Sequence, residues 1–320
     1  MQKLIITFSL LCLNASAVPL SGEGNISVPG GRVWYHIEND TNTANDSNTR
    51  IPLLLIHGGP GGSSCSLAPL KKMANQRPII FYDQLGAGKS EQPEDLSLWQ
   101  INRFVDELDV VRKKLGFKQV HLLAHSWGAA IAAQYLQEKG SEGIASVIFV
   151  GPYLSTADWT QGTNELRKQL APETQAILRK HELAGTTESD EYQTASEEFY
   201  RLFLFRHPHK ELEECNDSAW NQTIYETMWG TSEFFTSGNL KNFNAAKDLQ
   251  KIHIPTLFMV GEFDEAREST VRRYQQRMQN AQVTVINDAA HMSMIDNPDA
   301  FITSVTAFLA QVESQKTSKQ

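Results

Sequence analysis

Between Val120 and Leu136 the chain reads VHLLAHSWGAAIAAQYL: an apolar run of strand character, then His-Ser-Trp-Gly, then an alanine-rich helical stretch. A strand that turns abruptly into a helix strains the residue at its apex and tolerates only small residues two positions to either side. Ser126 stands at the apex, with Ala124 and Gly128 at those positions. A hydroxyl held on such a bend is presented for attack on a carbonyl, so the chemistry on offer is acyl transfer. The usual form of the bend carries glycine at the first small position; alanine adds one methyl group and stays compact. A serine between strand and helix also serves as a plain N-cap, and the remaining motifs weigh against that reading.

A serine hydroxyl needs a histidine to take its proton and an acid to orient that histidine, in the chain order Ser, acid, His for this topology. Of nine histidines, His291 is the one in a loop after the last strand and before a helix. His125 adjoins the serine on the strand, His57 belongs to a glycine turn, and His207 and His209 read as solvated residues rather than metal ligands. For the acid, Asp264 in GEFDEA follows a strand and fits the order, with Asp288 and Asp296 as alternatives that also read as turn or cap residues. HGGPGGSS from His57 to Ser64 follows another strand, and its glycines let backbone N–H groups approach a substrate. The amides of Gly59 and Trp127 are the expected oxyanion donors. LGAGKS resembles the end of a phosphate-binding loop, but the glycine that pattern needs earlier is Asp83.

These residues need a scaffold. Short apolar runs at 51–56, 78–82, 119–124, 146–150, 256–260 and 283–286 predict strands covered on both faces. Amphipathic stretches at 99–115, 129–138, 267–278 and 298–312 predict the helices between and after them. Alternation of the two predicts an α/β fold, a doubly wound and mainly parallel sheet. A hairpin is expected around Pro29-Gly30-Gly31, followed by a polar loop at 39–50. Residues 152–248 break the rhythm with helical, aromatic and charged text and no convincing strand, which predicts a helical cap inserted into a core of 18–151 and 249–320.

With 320 residues, 41% of them hydrophobic and 21% charged, the chain can bury a large core, which argues against disorder. A net charge of −8 disfavours nucleic acid and anionic membranes as partners. Lys3, the apolar run from Leu4 to Leu13, and Ala15-Ser16-Ala17 predict a signal peptide over 1–17, cleaved near Ala17, and hence an exported protein with no membrane span. Cleavage would leave Cys65 and Cys215, enough for a single bridge in an oxidising compartment.

Taken in order, HGGPGG, YDQLGAGKS, HSWG, MWGTSEF, GEFDE and the late histidine make the chain resemble the proline iminopeptidase (prolyl aminopeptidase) family of α/β-hydrolases. Within it the likeness is nearest to the proline-specific peptidases that include a tricorn-interacting aminopeptidase. The resemblance implies an α/β-hydrolase fold, a Ser126, Asp264 and His291 triad, and Gly59 and Trp127 as oxyanion donors. It also implies that Glu233 and Glu265 bind the substrate's free α-amine. A protonated amine in a partly dry pocket must meet negative charge or pay a large desolvation penalty. Trp229 and Phe234 are expected to enclose the small ring or side chain. Two features depart from the family: the elbow is Ala124-His125-Ser126-Trp127-Gly128 where members often carry a glycine-rich one, and Leu85 replaces the common arginine after Asp-Gln. The expected activity is release of N-terminal proline, or another small or apolar residue, from short peptides or amino-acid amides with a free N-terminus. No metal or organic cofactor is required. A general esterase, amidase or lactonase with the same triad is the rival enzyme, and a non-catalytic binding protein the rival of another class.

Overall fold

The computed structural model describes residues 21–40, 50–207 and 220–317. The proposed leader over 1–17, most of the polar loop at 39–50, His209 and Cys215 lie outside these residues. In chain order the strands are β1 (Gly22–Val28), β2 (Gly31–Glu38), β3 (Leu53–Ile56), β4 (Ile79–Tyr82), β5 (Val120–His125), β6 (Ile144–Val150), β7 (Gly230–Ser232), β8 (Phe235–Thr236), β9 (Thr256–Gly261) and β10 (Ala281–Ile286). Eight of them form one sheet in the order β1-β2-β4-β3-β5-β6-β9-β10. The β1–β2 hairpin turns at Gly30, whose φ of +93° suits glycine. β2 joins β4 antiparallel, and every pairing from β4 onward is parallel.

Period-two alternation divides the core. Leu54, Ile56, Val120, Leu122 and Ala124 pack into a cluster on one face, whereas Leu53, Leu55 and Leu123 pack on the other. Helices α1 (Ile101–Lys114) and α2 (Trp127–Glu138) cover the first face. The C-terminal helix (Pro298–Thr317) covers the second with Phe301, Val305, Phe308, Leu309 and Val312, spaced along one helical stripe. A strand buried on both faces has no alternation to show, which is why β3 to β6 read as plain apolar runs. β10 departs from that expectation: it is the sheet edge and most of its residues are only partly covered.

Between β6 and β9 the chain contributes α3 (Thr156–Arg167), α4 (Pro172–Ala184), α5 (Asp190–Phe203) and α6 (Gln222–Met228). It also forms a two-stranded ribbon of β7 and β8, which corrects the expectation of a strand-free segment. These strands are too short to show alternation in the text.

Candidate active site

Ser126 follows β5 and opens α2 with φ 53° and ψ −117°, a backbone conformation that a non-glycine residue seldom adopts. Its amide donates to the Val150 carbonyl at 2.9 Å. The small neighbour matters: a Cβ on Gly128 would stand 2.3 Å from the Ile56 carbonyl oxygen, so α2 crosses β3 at backbone distance. Ser126 is only 8% exposed, at the wall of a cavity of about 420 Å³ that His291 and Glu233 also line.

Asp264 lies just beyond β9 and His291 beyond β10, so both reach the same C-terminal end of the parallel strands as Ser126. Asp264 Oδ1 is 2.8 Å from His291 Nδ1. The same carboxylate accepts from the Ala266 amide at 2.8 Å and the Gly261 amide at 3.2 Å, which fixes its plane. With Nδ1–H donated to the acid, the Nε2 of His291 is left as the basic nitrogen. Gly151 makes room for the pair: a Cβ there would approach His291 Nδ1 to 2.7 Å. The other acids sit elsewhere. Asp288 faces His207 at 3.5 Å, and Asp296 accepts backbone N–H groups, including that of Ala290 at 2.8 Å.

His57 is structural. One ring nitrogen donates to the Gly58 carbonyl at 2.8 Å and the other accepts from the Gln84 amide at 3.0 Å. Burial lowers its pKa and keeps the ring neutral, against the opposing pull of Asp83. Gln84 in turn donates to the His57 carbonyl and accepts from the Trp127 indole, tying the glycine loop to the elbow. Gly59 and Trp127 border a narrow crevice beside Ser126. The His125 ring lies against that of His291, tilted by 43° with centroids 4.7 Å apart.

The two glutamates converge from different elements. Glu265 is 1% exposed, lies 3.9 Å from His291 Nε2, and neither of its oxygens has a hydrogen-bond partner among the described residues. Burial raises its pKa well above the ordinary carboxyl value, and the charges of Glu233 and Asp264 add to the rise. Glu233 is half-buried at the tip of the β7–β8 ribbon and accepts from the Tyr225 hydroxyl at 2.7 Å. Burial raises its pKa too, partly offset by that hydrogen bond and by His291. The site holds two carboxylates that burial drives toward neutrality, a pair that an added cation would favour in ionised form.

Trp229 walls the crevice with Tyr153 and Trp159, its ring edge-on to theirs at 5.0 and 6.2 Å. Phe234 does not share that wall, contrary to expectation. It packs into the separate core of α3 to α5, 4.9 Å from the Phe199 ring and under the Arg167 guanidinium. Glu233 and Phe234 are consecutive at the ribbon tip, and turning the acid toward the cavity sends the ring to the opposite side. Tyr153, Trp159 and Tyr225 complete the site, and none of them belongs to a spacing that sequence reasoning could pick out. Cys65 is disulfide-bonded.

Residues 51–298 match the family model described as alpha/beta hydrolase fold. A proline iminopeptidase from Heyndrickxia coagulans is 40% identical over 292 residues, 91% of this chain and 99% of that protein. Among solved structures, the proline iminopeptidase of Mycobacterium smegmatis superposes with a TM-score of 0.82 at 28% identity, covering 92% of this chain and all (100%) of its own. VinJ superposes with a TM-score of 0.83 at 27% identity and the same coverage, 92% and 100%.

Proposed function

The chain belongs to the proline iminopeptidase family of α/β-hydrolases, and from that membership we infer that it is a prolyl aminopeptidase acting through a covalent acyl-enzyme. Ser126 is the nucleophile, His291 the base and Asp264 the residue that orients it. In this mechanism the substrate's ammonium group enters between Glu233 and Glu265, and the pyrrolidine ring sits in the cavity beside Ser126, packed at the mouth of the narrow crevice of Tyr153, Trp159 and Trp229. His291 Nε2 takes the Ser126 proton as Oγ attacks the scissile carbonyl, and Asp264 stabilises the resulting imidazolium. The amides of Gly59 and Trp127 hold the oxyanion, where one lost donor typically costs about 10²-fold to 10³-fold in rate. His291 then protonates the departing peptide nitrogen, and water, deprotonated by the same imidazole, releases proline.

The observation that carries this reading is the unpartnered, buried Glu265 carboxylate 3.9 Å from the imidazole. An esterase pocket has no use for an uncompensated buried acid, whereas an amine-recognising site is incomplete without one. Prolyl arylamide, free and N-acetylated, tests it. The free form should be cleaved and the acetylated form ignored, and Ser126→Ala should lose both hydrolysis and fluorophosphonate labelling. Equal turnover of the two substrates would put the general esterase in its place.

Residues 152–248 act as the cap over this site. We propose further that residues 1–17 are a cleaved leader and that the enzyme works outside the cytoplasm. Support comes from Lys3 with the apolar run and Ala15-Ser16-Ala17, and from the disulfide at Cys65, a bond that persists in oxidising compartments. Protein recovered from a secreting host should begin at Val18; a retained Met1 would refute export by this route.

A further inference from the structure

The imidazole of His291 is oriented by Asp264, but its backbone sits in the loop between β10 and the short helix Ser293–Asp296 and needs its own support. Three successive amides of that loop are committed. The Ala290 N–H goes to Asp296 Oδ2 at 2.8 Å, and the His291 and Met292 N–H groups go to the Phe203 and Leu204 carbonyls at 3.1 Å each. Those carbonyls end α5, where helical C=O groups lack intrahelical partners. Asp296 also accepts the Arg206 amide at 3.1 and 3.2 Å and the His207 amide at 3.2 Å, both from the segment leaving α5.

One carboxylate thus takes N–H groups from the base-bearing loop and from the inserted segment that carries Glu233 and the aromatic crevice. Hydrogen bonds to an ionised acceptor are among the strong ones. Besides the two backbone–backbone bonds, His207 Nε2 stands 3.5 Å from Asp288 Oδ2 across the joint, but among the described residues Asp296 is the side chain that accepts N–H groups from both sides, so a change there can loosen it.

We propose that Asp296 is a positioning residue, which locks the backbone of the His291 loop to the cap and makes the placement of the base depend on the seating of the substrate-binding segment. It touches neither substrate nor reacting atoms. The inference rests on His291 acting as the base.

The test compares Asp296→Asn and Asp296→Ala with wild type on prolyl arylamide. Asparagine keeps the size but turns an NH₂ toward N–H groups that need an acceptor. Because displacement of about 1 Å can cost 10²-fold, kcat should fall roughly 10-fold in the asparagine variant and up to roughly 100-fold in the alanine variant. KM should stay near the wild-type value, since Glu233 and Glu265 are untouched. The rate of fluorophosphonate labelling at Ser126 should fall in step with kcat, with the protein folded at the assay temperature by its Tm. An unchanged kcat in Asp296→Asn overturns the proposal, as does loss of folded protein in both variants, which would make the role purely structural. Activity surviving Ser126→Ala would instead bring down the triad reading, so the two failures are separable.

Discussion

Glu265 shows a site working against the stability of its own fold. Its carboxyl is raised well above the ordinary value by burial first, then by Glu233 and Asp264. A carboxyl whose folded pKa is raised contributes stability that is fully present below its unfolded pKa and lost as pH rises through the folded value. Glu265→Gln should therefore raise Tm near pH 8, by the equivalent of about 1–3 kcal/mol for a buried unpaired group, and change little near pH 4. A variant less stable than wild type near pH 8 would contradict this. The same substitution should raise KM for prolyl arylamide at least about tenfold, the cost of leaving a buried cation short of a partner. Because an entering ammonium favours ionised carboxylates, substrate affinity should also rise with pH through the raised values, and KM measured across that range should flatten in the variant. Ser126 was legible in the text because its bend demands Ala124 and Gly128 around it. Glu265 was legible only through the family likeness, since an acid before a helix looks the same whether solvated or buried. Phe234 was misplaced because neighbouring residues at a tip diverge, and the text of MWGTSEF does not show which of them faces inward.

At the scale of elements, the C-terminal helix is fastened at the end of the sheet opposite the active site. Glu313 accepts from buried Arg77 at 2.7 and 3.3 Å and lies 3.3 Å from His121 Nε2, while His121 Nδ1 lies 2.7 Å from the Ser146 hydroxyl. Burial alone would raise the Glu313 carboxyl, but hydrogen bonds from His121 and Arg77 outweigh it and hold the value at about 2. A depressed carboxyl stabilises above its unfolded pKa of 4.5 and loses that contribution as pH falls toward about 2. Glu313→Gln should cost about 2 kcal/mol near neutrality, less than the ~3–5 of a fully buried pair because Glu313 is partly open to solvent. Denaturant titrations should show the gap narrowing steadily below pH 4.5; a gap independent of pH would mean that packing, not charge, fastens the helix. The helix itself was legible from its apolar stripe, and the parallel strands from their unbroken apolar runs. The Arg77, His121, Ser146 and Glu313 cluster was not, because its members are brought together only by the register of β5 with β6 and the docking of a helix more than a hundred residues away.

For the molecule as a whole, the hydrophobic clusters divide the inserted segment in a way its sequence does not announce. Tyr153, Trp159, Ile224, Tyr225, Met228, Trp229 and Leu240 belong to the same cluster as Phe104 of α1 and Ala124 of β5, so the floor of the insertion is continuous with the sheet core. Leu166, Leu178, Tyr192, Phe199, Phe203 and Phe234 form a separate cluster that knits α3, α4 and α5 to one another. Read as text, 152–248 is one interval, because both halves are helical and aromatic. The physical boundary runs between the residues that wall the crevice beside Ser126 and those of the separate α3 to α5 cluster. A smaller, independent core opens at lower free energy than the one containing the sheet. Amide hydrogen exchange should therefore release α4 and most of α5 well before β5, with α6 protected like the sheet because Ile224 and Met228 are anchored in its core. If α6 exchanges together with α4 and α5, the insertion opens as a single lid, and the crevice walls move with it rather than standing fixed beneath.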